Sequence, residues 1–170
     1  WLYGYNHEAA AEAFEEAIGA DPRCGAALWG LAYAIGPNYN RPWEFFDAAE
    51  RKATLDRAHM AIVKAKALGG KLTPVENDLV EALAERYPQD PEIEDYGPWN
   101  DAFSDAMRKV YAAHPDDLDV VCIFAEALMN RTPWLLWDLQ TGGPKEGAST
   151  LEAQAALERV LDELPGAWDH

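Results

Sequence analysis

This 170-residue chain carries four histidines, two cysteines and 30 carboxylates. Few of them stand at spacings that chemistry requires. His7 lies between Asn6 and Glu8 at the start of a helix. A histidine there serves as a local hydrogen-bonding group or, given partners, as a metal ligand or general base. Glu126 is its best candidate partner. It sits inside the apolar run from Phe124 to Met129, where a carboxylate must be paired or hydrogen-bonded. His7, Arg131 or an indole N–H could meet it, in a structural buried pair or a catalytic one; a raised carboxylate pKa would mark the second. Gly36-Pro37-Asn38-Tyr39-Asn40 offers uncharged donors and acceptors beside Trp43. That mix suits a sugar, a peptide backbone or a small polar ligand. The other reading is a loop whose asparagines cap its own helices. A small-ligand or metal-dependent pocket, enzymatic or not, would gather His7, Trp29, Tyr33, Asn38, Glu126 and Trp134. Tyr39, Asn40, Trp43 and Arg131 are further candidate contacts.

The remaining chemistry is thin. His59 falls mid-helix and His114 precedes Pro115, neither with a second ligand at i+4. No HxxxH, HExxH or CxxC spacing occurs, no Gly-rich phosphate loop and no G-x-S-x-G elbow. Gly142-Gly143-Pro144 reads as a turn. The expectation is a protein without intrinsic catalysis, cofactor or metal. The formal charge of −16 repels phosphate backbones and disfavours nucleic acid and anionic membranes. It marks a solvated surface or a basic partner. Cys24 and Cys122 are expected as buried free thiols. No long apolar run or leader occurs, so the expected location is cytoplasmic. Trp1-Leu2-Tyr3 reads as the apolar face of a helix, so the start is expected to be clipped.

Seven helices are expected to position these residues. Asn6 caps the first, ended by Asp21-Pro22. The second covers about 24–35 and stops at Gly36-Pro37. The third covers about 45–68. Thr73-Pro74-Val75-Glu76 is a capping box with proline at the first helical position, and its helix runs to about Tyr87. The fifth covers about 100–114 and the sixth 118–129. Ser149-Thr150-Leu151-Glu152 reads as a second capping box, opening a helix whose stripe includes Leu157, Val160, Leu161 and Leu164. Three long connections (36–44, 88–99 and 130–148) carry Pro42-Trp43, Pro98-Trp99 and Pro133-Trp134. They are expected as a layer along one edge, for recognition or for filling gaps between hairpins.

One helix signature recurs. Ala10, Phe14, Ala17 and Pro22 stand at offsets 0, +4, +7 and +12. Ala58, Ile62, Ala65 and Gly70 repeat them, as do Ala106, Val110, Ala113 and Leu118, and Ala153, Leu157, Val160 and Pro165. The starts are 48, 48 and 47 residues apart. A fixed period of this size indicates stacked helical units. Ala-x3-Phe-x2-Ala-x4-Pro resembles the second-helix half of a tetratricopeptide repeat, and Ala27-Leu28-Trp29-Gly30-Leu31-Ala32 the first-helix half. The chain resembles a divergent tetratricopeptide-repeat (TPR) family of bacteria and fungi in several stretches. These are Tyr5–Ala9, Asp21-Pro22-x-Cys24, Trp29–Asn38, Phe124–Met129, and Pro133-Trp134 with Trp137-Asp138.

The resemblance implies an all-α fold, a right-handed superhelix of antiparallel helix pairs in a single domain, 1–170. It implies a scaffold for a protein or peptide, and the acid surface favours a basic segment. Relatives continue past a His-Pro-Gly-Ala stretch into a histidine-rich helix. Here Leu164 replaces that histidine, followed by Pro165-Gly166-Ala167, so a site carried by that segment is expected to be absent or truncated. An uncapped end would favour a homo-oligomer, or a place as a structural subunit in a larger assembly.

Overall fold

The computed structural model describes residues 1–90 and 92–163. Among them are seven α-helices and no β-strand: α1 (His7–Ala20), α2 (Gly25–Ile35), α3 (Ala48–Lys66), α4 (Pro74–Ala84), α5 (Gly97–Ala113), α6 (Leu118–Met129) and α7 (Thr150–Glu163). Short 3₁₀ turns cover Trp43–Phe45 and Gly69–Lys71. No helix among the described residues is long and apolar enough to cross a membrane. Leu164, Pro165 and the residues after them lie outside the described region.

The helix starts follow capping chemistry. Asn6 accepts the Ala9 N–H, Asp47 that of Glu50 and Asp117 that of Val120. Thr73 and Glu76 close the capping box, with Pro74 in the first turn. Each side-chain oxygen takes a backbone N–H that the helix itself leaves unpaired. At α7, Glu152 instead receives the Arg108 guanidinium through two bonds of 2.7 and 2.8 Å, and Ser149 receives Arg131. Trp1–Tyr5 form hydrogen-bonded turns rather than a helical face, with Tyr5 in left-handed geometry at φ 56°.

Each helix packs on the next in sequence, and α2 also touches α4. The four signature copies fall on α1, α3, α5 and α7. Their first residue is buried in three (Ala10, Ala58, Ala153) and half-buried in Ala106. Ile62 and Val110 are buried too, but Phe14 and Val160 are half-buried, and Ala17, Ala113 and Leu157 are exposed. α1 has α2 as its main neighbour, and Ala17 lies on a face of α1 left exposed. Ala113 is the last residue of α5. Phe14 reaches α2 across Gly30, where any Cβ would overlap its ring.

One core cluster runs from Ala32 and Tyr33 of α2 to Ala153 and Ala156 of α7. Neither cysteine belongs to it: Cys24 is half-buried and Cys122 exposed, both as free thiols.

Three boundaries differ from expectation, the first being the end of α4 at Ala84 rather than about Tyr87. Phe45 lies in the 3₁₀ turn, and α3 starts at Ala48 behind its Asp47 cap. α5 begins at Gly97, so Pro98-Trp99 lies in a first helical turn rather than a loop. Proline tolerates that position because the N–H it lacks would be unpaired there anyway.

Candidate functional site

α2 and α6 create the main polar contact. Tyr33 is fully enclosed and donates its phenol to Glu126 Oε2 at 2.6 Å. Glu126 Oε1 is buried without a hydrogen-bond partner. His7, at the start of α1, feels both Glu126 and Arg86. Burial, the largest influence, lowers its pKa; the Glu126 charge and a backbone hydrogen bond at Ala34 oppose this, and the Arg86 charge adds to it. Its neutral form is therefore favoured, and neither ring nitrogen makes a side-chain hydrogen bond. The expected meeting of His7 and Glu126 is thus electrostatic, with Tyr33 as the bonded partner.

Arg86 completes this group. It is 1 % exposed and donates to the Pro37 carbonyl. Its guanidinium lies 4.7 Å from the Tyr33 ring centre and 4.9 Å from that of Phe103, within cation–π range. Nη1 has no hydrogen-bond partner. Asn130, one helical turn beyond Glu126, is buried with neither amide atom paired. Nothing in the sequence marks Arg86, which follows an ordinary helix end, or Asn130 at a helix C-cap.

Other candidates lie elsewhere. Arg131 pairs with Asp101 at 2.6 Å and with Ser149, not with Glu126. Trp29 stacks on Tyr33 at 4.9 Å, but its indole N–H goes to the Leu79 carbonyl. Asn38 caps its own loop, accepting from Asn40 and Arg41. Asn40 is exposed and, with His7 and Asn38, lines a cleft of about 700 Å³ between α1 and α3. Trp43 is 1 % exposed and packs on Tyr96, the N-cap of α5. Trp134 is 51 % exposed, stacks on Phe45 at 5.6 Å and meets Tyr39 edge-on. The first connection therefore touches each of the other two. Trp43 serves packing, while Phe45 and Trp134 face solvent.

Two further cavities matter. One of about 140 Å³ opens on Tyr33 and Glu126 beneath Tyr3 and Tyr5. The other, about 810 Å³, is an apolar groove along α1, α2, α4 and α6, lined by Phe14, Trp29, Leu79 and Ile123 among others. Its charged lining residues are Glu76, Asp117 and Asp119, with no lysine or arginine. Among the described residues no group of three or more metal-ligating side chains converges. No protein-family model, curated protein or solved structure matches the chain.

Proposed function

We propose that the chain is a helical-repeat scaffold of tetratricopeptide type, its helices stacked as antiparallel pairs in a right-handed superhelix. It binds a basic amphipathic segment of another protein without catalysing a reaction. One observation carries this reading: the 810 Å³ groove combines an apolar floor with charged groups that are all carboxylates. Apolar anchors entering the groove would release water from Phe14, Trp29 and Leu79. Lysines or arginines at the rim would meet Glu76, Asp117 and Asp119. The net charge of −16 would speed encounter with such a segment.

The test is calorimetric titration with a peptide alternating leucine pairs and lysines, beside its Lys→Glu counterpart. Glu76→Gln and Asp117→Asn remove charge but retain residues that still cap helices. Each should weaken binding by roughly 1.5–5-fold, the effect of about 0.2–1 kcal/mol for an exposed ion pair. Affinity should fall as salt rises. Equal binding of the acidic counterpart would contradict the reading.

A further inference from the structure

The turns over Trp1–Tyr5, ahead of the Asn6 cap of α1, border the apolar groove. Trp1, Leu2 and Tyr3 all line it. The Tyr3 hydroxyl donates to Asp119, one of the three carboxylates of the groove, 116 positions away. We propose that this segment is a strap that gates the groove. Latched on Asp119, it narrows the groove beside α6, and a basic partner segment opens it by drawing Asp119 into an ion pair. The inference rests on the groove reading above and adds its regulation.

Three features suit a strap rather than a fixed wall. Its backbone hydrogen bonds are local: the Gly4 and Asn6 N–H groups donate to the Trp1 carbonyl and the Tyr5 N–H to that of Leu2. Little apolar burial holds it, since Trp1 is 74 % and Tyr3 63 % exposed, and half-buried Leu2 is its anchor on the core. Segments with few buried contacts open at low free-energy cost. Its hinge is Gly4 with Tyr5, whose φ of 56° is unfavourable for an aromatic residue and is relieved when the segment swings away.

The latch also suits displacement by a cation. Burial, and then the bond to Asp119, push the Tyr3 pKa up, so the phenol keeps the proton it donates. It offers Asp119 a neutral donor. An ammonium or guanidinium brings a full positive charge to the same carboxylate and competes better for it. The strap also covers Cys122, which lines the small cavity together with Leu2, Tyr3 and Tyr5. Burial holds the Cys122 thiol pKa up, so lifting the strap should raise its reactive thiolate fraction.

The test uses two readouts, of which the second needs no peptide. Tyr3→Phe keeps the ring and removes the latch. In calorimetric titration it should raise affinity for the leucine–lysine peptide by about two- to tenfold, the effect of one hydrogen bond. Asp119→Asn should weaken peptide binding more in the Tyr3→Phe background than in the wild type, where losing that charge also loosens the strap. Iodoacetamide labelling of Cys122, with Cys24 as internal reference, should speed up in Tyr3→Phe and in Leu2→Ala, and in the wild type when the peptide binds. Wild-type binding with equal or lower affinity in Tyr3→Phe would make Trp1–Tyr5 a fixed part of the wall and overturn the strap, as would Cys122 labelling unchanged in both variants; either result leaves the groove reading standing. Absence of peptide binding to both the wild type and Tyr3→Phe would overturn the groove reading and the gating with it, even if Cys122 labelling sped up.

Discussion

The Tyr33–Glu126 contact gives a prediction that can be worked through from the structure. Tyr33→Phe removes the donor of a 2.6 Å bond to a carboxylate whose other oxygen has no partner. A hydrogen bond to a charged group contributes about 1.5–3 kcal/mol, against about 0.5–1.5 kcal/mol for a neutral pair. Tyr33→Phe should therefore cost about 1.5–3 kcal/mol in the wild type and about 0.5–1.5 kcal/mol in a Glu126→Gln background. The difference, about 1–1.5 kcal/mol, is the coupling energy of the charged pair. At an m-value near 2 kcal/mol/M, the single substitution shifts the urea midpoint by about 1 M. Unfolding of all four proteins, followed by circular dichroism and tryptophan fluorescence together, measures both numbers. Equal costs of Tyr33→Phe in the two backgrounds would refute the charged contact.

Further outcomes follow from the packing. Trp43→Ala, at a buried indole, should cost about 3–5 kcal/mol, whereas Trp134→Ala, at an exposed one, should cost less than half as much in the same denaturation assay. Phe14 is half-buried, so Phe14→Ala should fall below the full core cost of about 3–5 kcal/mol. Gly30→Ala should destabilise through overlap with the Phe14 ring, and Phe14→Ala should relieve it; additive costs would contradict that contact. His7 has a lowered folded-state pKa, so the unfolded chain binds its proton first. Stability should fall as pH drops through 6.5 toward that lowered value, and more in the wild type than in His7→Phe. Melting temperatures at pH 7.5 and 5.5 for both proteins test this sign.

The helices were legible where local chemistry sufficed. The range expected for the sixth helix, 118–129, matches α6, and the Thr73–Glu76 capping box marked the start of α4. The Pro98-Trp99 pair misled because it resembles the loop pairs, although proline in a first turn is an equally local signal. The candidate site was legible only in part. An ionisable residue inside an apolar run singled out Glu126. Its bonded partner Tyr33 comes from a helix 93 positions away, which no spacing encodes. Arg86 was invisible because its burial depends on the Pro37 carbonyl and on rings from two other helices. Arg131 drew attention as a nearby cation, yet Asp101 and Ser149 lie within its reach.

The indole N–H signals of the tryptophans offer the most direct measurement of where a partner docks. Trp1 and Trp29 line the groove, whereas Trp43 is buried in the core and Trp134 and Trp137 are exposed on the connecting loops. Titration of the basic amphipathic peptide, followed by proton–nitrogen correlation spectra, should move the Trp1 and Trp29 resonances and leave those of Trp134 and Trp137 in place. Movement confined to Trp134 and Trp137 would contradict the groove as the binding surface.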